Sequence, residues 1–228
     1  MNKIIIKFLW LLKPIIEWFD HTFTSPWSVK KINFDEYYYF KDQMQPGFVF
    51  VTDTYGQGSN LINPSKGKHG AIYFGKGFKS YLESLLEIFS NEPQFDQKKL
   101  ERLKNFYNTH QLSDDIPYVI EALGKGVTVT SLGKFMTTKD KLKCFKPKFA
   151  SAGQMNIVIS FAVEDLGLGY DWGFSEDDNY KYCFEVVIDA YKKVFPNIEF
   201  KSDTVLGHRF YLANAFYDET LWEKLVDL

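Results

Sequence analysis

The sequence predicts an α+β fold in which short β-rich runs form a sheet that packs against helices. The β-rich runs lie near residues 48, 71, 119, 128 and 143, and glycine or proline turn signals stand beside several of them. Apolar residues with helical spacing run from Ser151 to Leu166 and again from Cys183 onward. The 228 residues suffice for one well-buried domain and are few for two enzymatic domains. We therefore expect one antiparallel sheet packed on the helix that begins at Cys183.

The composition excludes several classes of function. Lys and Arg total 27 and Asp and Glu total 29, so the chain has no basic footprint for nucleic acid. Its two cysteines, Cys144 and Cys183, are too few for a disulfide scaffold, and their spacing matches no zinc motif. We expect neither a nucleic-acid partner nor a metal or other cofactor.

Residues 1–25 are predicted to form an amphipathic N-terminal helix ahead of a main domain over residues 26–228. Lys7 and Lys13 interrupt its apolar stretch, which argues against a signal peptide and leaves too short a run to span a bilayer. Three alternatives remain open: the helix packs on the domain, contacts a membrane surface, or acts as a poorly cleaved export signal. A cytoplasmic or membrane-associated location is favoured over secretion.

Cys183 is the main candidate for a nucleophile. It opens a helix, where unpaired backbone N–H groups and the positive end of the helix dipole stabilise a thiolate over a thiol. The alternative is that Cys183 is a small buried apolar residue, as free cysteines often are.

Two motifs give the candidate a context. The first consists of Tyr170-Asp171-Trp172-Gly173, then an acidic loop, and then Tyr182-Cys183-Phe184-Glu185-Val186-Val187. The second is Lys68-His69-Gly70-Ala71-Ile72-Tyr73-Phe74-Gly75. Together they resemble the NlpC-type cell-wall peptidases and, more closely, their circularly permuted relatives, the YiiX/YebB-like papain-fold amidases. The resemblance extends from about Gln45 to the C-terminus, with a gap near residues 77–115. Phe184 departs from it, because a serine usually follows the family's cysteine.

The resemblance implies a papain-like, circularly permuted NlpC-type fold with a curled antiparallel sheet. It also implies roles for four residues. Cys183 would be the nucleophile, His69 the general base, and Glu121, in a Val-x-Glu-Ala motif, would orient the imidazole unless it is an ordinary exposed strand residue. Tyr170 would line the substrate pocket.

The function that follows from these roles is a cysteine amidase or peptidase. Its expected substrate is a peptide amide, with peptidoglycan as the first class implied. A lipid amide or ester hydrolase or acyltransferase of the lecithin-retinol acyltransferase-like type is an alternative, and so is a catalytically silent binding module.

Three further expectations concern the architecture. Residues 77–115 are interpreted as a helical insertion, because Tyr81 to Phe89 and Leu100 to Tyr107 keep helical spacing. Cys144 is expected to be an inward-facing strand residue. The tail from Leu206 to Leu228 is expected to dock on the core.

Overall fold

An antiparallel sheet of six strands is the central element of the computed structural model, which describes residue 32 and residues 34–54, 67–172, 179–205 and 208–228. The predicted N-terminal helix over residues 1–25 lies outside the described residues. The strands of the sheet are β1 (Val49–Asp53), β2 (His69–Gly75), β3 (Tyr118–Leu123), β4 (Gly126–Ser131), β5 (Lys141–Pro147) and, at the C-terminus, β10 (Trp222–Asp227). Their order across the sheet is β10-β5-β1-β2-β3-β4.

Six α-helices are described around the sheet. They are α1 (Phe34–Lys41), α2 (Phe78–Asn91), α3 (Gln97–Thr109), α4 (Leu132–Thr137), α5 (Ala152–Glu164) and α6 (Cys183–Val194). Two small strand pairs complete the described structure. The first is the parallel pair of β6 (Gly169–Tyr170) and β7 (Tyr180–Lys181), and the second is the antiparallel pair of β8 (Asp203–Val205) and β9 (His208–Phe210). A short 3₁₀ helix spans Ala213–Phe216. No described helix has the length and apolar character needed to cross a membrane.

The sheet is buried on both faces, and β2 illustrates why its sequence is so apolar. Ile72 and Phe74 join the core cluster that contains α5 and α6, whereas Ala71 and Tyr73 join the cluster on the opposite face with residues of α1 and α4. Successive strand residues point to opposite faces. A strand covered on both sides therefore needs a continuous apolar run, which Ala71 to Phe74 provides.

The strands predicted near residues 48, 71, 119, 128 and 143 and the helices predicted from Ser151 and from Cys183 are confirmed. β3 and β4 pair from Tyr118 opposite Ser131 to Leu123 opposite Gly126. Gly126 has φ 119°, and a Cβ there would lie 2.1 Å from the carbonyl oxygen of Leu168, so no other residue fits this position without a backbone shift. Ser151 caps α5 by accepting from the N–H of Gln154. Helices α2 and α3 occupy the range where a helical pair was predicted.

Helices α1 and α4, strand β10 and the four short strands β6 to β9 are not predicted from the sequence. Helix α1 precedes β1, and its Phe40 is buried while Tyr38 and Tyr39 are 60% and 68% exposed. The tail does dock on the core, but as a strand: β10 pairs with β5 and buries Trp222. The next three residues of β10 are exposed, and Glu223 and Lys224 among them suit an edge strand that must not pair with other chains. Helix α4 is short and follows β4 directly, so no pattern marks it.

Candidate active site

Cys183 lies at the first position of α6, where the fold supplies donors to its sulfur. The chain enters the helix from β7, and Glu185 accepts a hydrogen bond from the backbone N–H of Tyr182 at 3.3 Å. The backbone N–H groups of Gly70 and Phe184 lower the pKa of the Cys183 thiol. A thiolate gains more from such donors than a thiol does. The side chain is only 5% exposed, so these donors act in a largely dehydrated environment.

Gly70 allows α6 to approach β2 this closely. A Cβ on Gly70 would lie 2.5 Å from the Phe184 ring, which is nearer than non-bonded carbons approach. Phe184, the residue that departs from the family pattern, therefore fills the space that Gly70 leaves open. The pair sets the contact between the helix that carries Cys183 and the strand that carries His69.

His69 and Glu121 form a hydrogen-bonded pair. His69 begins β2, and Glu121 lies on β3 opposite Ala71, which shares a strand face with His69. The Nε2 atom of His69 lies 2.7 Å from the Oε2 atom of Glu121. Glu121 is 2% exposed, so the alternative of an ordinary exposed strand glutamate does not describe it.

The His69 ring also interacts with Cys183, and each group shifts the pKa of the other toward the imidazolium–thiolate pair. Because Nε2 faces Glu121, we assign Nδ1 to the sulfur. The structure thus brings together a thiol, an imidazole and a carboxylate that are distant in the sequence. Their order, with the imidazole between the other two groups, allows proton transfer between sulfur and ring.

The pKa values of Cys183, His69 and Glu121 are shifted in the directions that proton transfer between the thiol and the imidazole requires. Burial raises the pKa of the Cys183 thiol, but the hydrogen bond and charge of His69 and the two backbone N–H groups outweigh it, so the pKa is lowered. Burial and the charge of Lys139 lower the pKa of His69, whereas Cys183 and Glu121 raise it, and the net direction is upward. For Glu121, burial raises the pKa, yet the hydrogen bond and charge of His69, with Lys139 and Thr130, bring it below its usual range.

Lys139 is a neighbour of this site that the sequence analysis did not single out. It lies between α4 and β5 and is 6% exposed. Its Nζ atom lies 5.0 Å from the centre of the Phe135 ring, and that ring lies 6.3 Å from the ring of His69. No motif surrounds Lys139 in the sequence, so only the fold reveals its position.

Tyr170, the fourth predicted site residue, lies on β6 and pairs with Lys181 of β7, two positions before Cys183. It is half-buried, and its ring lies 4.8 Å from that of Trp172. The acidic loop after Trp172 lies outside the described residues. The role of Tyr170 in binding substrate stays a prediction.

The other cysteine and a further histidine lie elsewhere. Cys144 is buried in β5, with its sulfur 3.8 Å from that of Met44. His110 follows α3 and stacks on Phe106 at 3.9 Å. Neither residue contacts the Cys183 site.

Curated relatives of the chain come from poxviruses. Protein OPG091 of vaccinia virus (strain Copenhagen) is 29% identical over 180 residues, which are 78% of this chain and 82% of that protein. Protein OPG091 of variola virus (isolate Human/India/Ind3/1967) is 24% identical over the same shares of the two chains. Protein OPG091 of monkeypox virus is 29% identical over 103 residues, 45% of this chain and 58% of the relative.

Among solved structures, the fold is similar to that of the metalloprotein YiiX from Escherichia coli O157:H7. The TM-score is 0.48 at 20% identity, and the match covers 71% of this chain and 72% of YiiX. In the described part of the present chain, no three His, Cys, Asp or Glu side chains form a cluster that could hold a metal ion.

A family model covers most of the chain. It is the model described as permuted papain-like amidase enzyme, YaeF/YiiX, C92 family, and it matches residues 43–226. The chain therefore belongs to the YaeF/YiiX family of permuted papain-like amidases.

Proposed function

We propose that the protein is a cysteine hydrolase of amide bonds in which Cys183, His69 and Glu121 form the catalytic site. The observation that carries this proposal is the hydrogen bond between His69 and Glu121, together with the interaction of the same imidazole with the Cys183 thiol. Family membership supports a cysteine peptidase or amidase type of chemistry.

The first half of the reaction acylates the enzyme. The Cys183 thiolate attacks the carbonyl carbon of the amide, and negative charge develops on the carbonyl oxygen. The backbone N–H of Cys183 has no acceptor within its own helix, because it belongs to the first turn, so it is available to that oxygen. His69 holds the proton that left the thiol and gives it to the leaving nitrogen as the C–N bond breaks. An amine departs, and a thioester on Cys183 remains.

The second half restores the enzyme. His69, now neutral, takes a proton from water as the oxygen of that water attacks the thioester carbonyl. The C–S bond breaks, a carboxylic acid leaves, and the proton on His69 again faces the thiolate. Glu121 accepts the Nε2–H of His69 throughout, which fixes the tautomer and stabilises the imidazolium. Tyr170 is proposed to line the pocket for the substrate.

The first substrate class that we propose is a peptide amide, including the γ-glutamyl type of peptide bond in peptidoglycan. A second candidate is a lipid amide or ester, with hydrolysis or acyl transfer as the reaction. The exposed Tyr38 and Tyr39 favour the second candidate, because amphipathic aromatic side chains suit a membrane–water interface. They follow the predicted amphipathic helix of residues 1–25, whose lysines would suit anionic headgroups.

Trapping the acyl-enzyme tests the proposal. The intact protein is mixed with a γ-glutamyl peptide amide or with a short-chain acyl ester, and the mass added to the protein is measured at short times. The modified residue is then mapped. The account predicts a thioester on Cys183 that forms and decays, and no adduct in Cys183→Ala.

Cys144→Ala serves as the matched control and should acylate like the wild type. An adduct from the peptide amide alone would favour the peptidase, and one from the ester alone would favour the lipid enzyme. If neither compound acylates Cys183 while the protein remains folded, the chain is a silent module and the proposed function is wrong.

A further inference from the structure

Lys139 is a buried cation beside the candidate catalytic site. Its ammonium lies over the face of Phe135, and among the described residues it forms no ion pair. An ammonium removed from water without a paired carboxylate is costly, so its burial calls for a nearby negative field. The backbone fixes its place: the N–H of Lys139 donates to the carbonyl of Met136 at 3.1 Å, and the N–H of Asp140 donates to that of Asp53 at 2.9 Å.

The negative field comes from the catalytic groups themselves. With Cys183 as thiolate, His69 as imidazolium and Glu121 as carboxylate, the site carries two negative charges and one positive charge. These charges are all buried, so solvent screens them weakly. Lys139 brings the sum to zero, and its charge acts on both His69 and Glu121.

An imidazolium flanked by two anions also faces a catalytic difficulty. Each anion stabilises the protonated ring of His69, yet His69 must give that proton to the leaving group. The positive charge of Lys139 opposes this stabilisation and keeps Glu121 ionised. The two effects together leave His69 well oriented and still able to donate.

We infer that Lys139 is an electrostatic positioning residue that balances the charge of the Cys183–His69–Glu121 site and keeps His69 able to release its proton. The inference rests on the proposed function and deepens it. Among the residues that the structure describes, the charged groups that act on His69 are Glu121 from β3, Cys183 from α6 and Lys139 itself. Near Lys139, Asp140 follows it in the chain, and Asp53 ends β1 beside it.

The test is a titration of His69 by NMR in protein labelled with ¹³C at histidine. The chain has four histidines, so the signal of His69 is assigned by its loss in His69→Asn. The variants are Lys139→Met, which removes the charge, and Lys139→Arg, which keeps it. Lys134→Met is the matched control, because Lys134 is an exposed lysine of α4 and its loss changes the net charge equally.

The higher-pH step of the His69 titration should move upward by about one pH unit in Lys139→Met, since a nearby buried cation is removed. It should stay in place in Lys139→Arg and in Lys134→Met. In Lys139→Met, the basic limb of the pH–rate profile should shift to higher pH by a similar amount. The turnover rate near neutral pH should fall by about three- to tenfold. A role in packing alone would lower the rate at every pH without moving either curve.

A His69 titration that is unchanged in folded Lys139→Met would overturn the inference. Lys139→Gln provides a second neutral side chain if the methionine variant does not fold. Loss of folding in both neutral variants would assign Lys139 to the stability of the fold and would also overturn the inference. Because the titration needs no substrate, it can succeed or fail independently of the acyl-enzyme test.

Discussion

The two cysteines of this chain are both buried, and their surroundings differ in almost every other respect. Cys183 is 5% exposed and Cys144 is 1% exposed, so burial alone does not distinguish them. Cys144 lies within β5 among apolar neighbours, and burial, acting without any opposing group, raises the pKa of its thiol far above the ordinary value. Cys183 lies at a helix start, where His69 and two backbone N–H groups lower the pKa of its thiol.

The difference shows that thiol reactivity is made by partners rather than by exposure. Dehydration disfavours the thiolate at both sites. At Cys183 the same dehydration strengthens the hydrogen bonds and charges that favour the thiolate, because little water competes with them. Substitutions that remove one group at a time, each with a matched control, separate these contributions.

The largest effect is expected from removing the sulfur. Cys183→Ala should lower turnover by about 10³-fold or more, because no other described group replaces the nucleophile. Cys144→Ala should keep turnover within about twofold and cost only about 1 kcal/mol of stability, as for a small loss of core packing. Steady-state rates and thermal melts on both variants check this. An inactive but folded Cys144→Ala would contradict the conclusion that only Cys183 acts as the nucleophile.

Neutralising the orienting carboxylate should have the next largest effect. Glu121→Gln is expected to lower turnover by about 10- to 100-fold, because the amide stabilises the imidazolium less than the carboxylate does. The pKa of Cys183 should rise toward that of an ordinary thiol. Asp165→Asn is the control, since Asp165 is also buried but lies at the end of α5. Equal losses of turnover in the two variants would indicate a general effect of buried carboxylates and remove Glu121 from the mechanism.

Adding one methyl group at Gly70 should disturb the site through packing. Gly70→Ala places a Cβ 2.5 Å from the Phe184 ring, so we expect a loss of about 1–3 kcal/mol in the free energy of unfolding, together with reduced turnover. Denaturant unfolding measures the first effect. Adding Phe184→Ser to Gly70→Ala should restore part of the turnover, because the smaller side chain makes room for the methyl group.

Gly133→Ala is the matched control for that substitution. A Cβ at Gly133 of α4 meets no atom within 4 Å, so alanine there should leave turnover unchanged and stabilise the helix by about 0.5–1 kcal/mol. Additive effects of Gly70→Ala and Phe184→Ser would show that the two residues do not interact.

The smallest effect concerns stability and pH at the start of α6. Burial and the negative charge of Asp189 raise the pKa of Glu185 to about 7, although Lys181, 3.2 Å away, acts in the opposite direction. The folded protein therefore holds a proton on Glu185 that the unfolded chain releases from about pH 4.3 upward. Stability should fall as pH rises through this window to about 7.

Glu185→Gln should remove that fall, worth about 1–3 kcal/mol, while keeping an acceptor for the Tyr182 N–H. Denaturant unfolding of both proteins at the two ends of the pH window gives the difference. A wild-type stability that changes with pH as in Glu185→Gln would contradict the assignment of the shift to this residue.

The sequence predicts much of the fold because several elements carry local signals. The apolar, β-rich run of β3, the glycines after it and the Ser151 cap each act within a few residues, so their patterns are visible in the chain. Strand β10 escapes prediction because one buried tryptophan and mostly exposed neighbours do not resemble a strand. Its place depends on β5, which lies about 80 residues earlier.

Some residues of the candidate site can be identified from the sequence, whereas most contacts between them cannot. Cys183 and His69 stand in recognisable motifs, and the resemblance marks Glu121. No sequence pattern tells that Glu121 is buried, that Phe184 fits against Gly70, or that Lys139 lies beside the imidazole. These contacts join segments that meet only through the sheet, so they follow from strand register and helix docking rather than from local spacing.

The most direct test of the central claim compares the two thiols in one intact protein. Alkylation by iodoacetamide is followed by mass spectrometry at each cysteine from about pH 4 to about pH 10, a range that spans ordinary and activated thiols. The account predicts that Cys183 reacts well below the ordinary thiol pKa of about 8.5 and that His69→Asn moves its curve upward, whereas Cys144 stays slow throughout. If Cys183 and Cys144 both react only near or above that ordinary value, and His69→Asn changes neither curve, Cys183 is not an activated nucleophile.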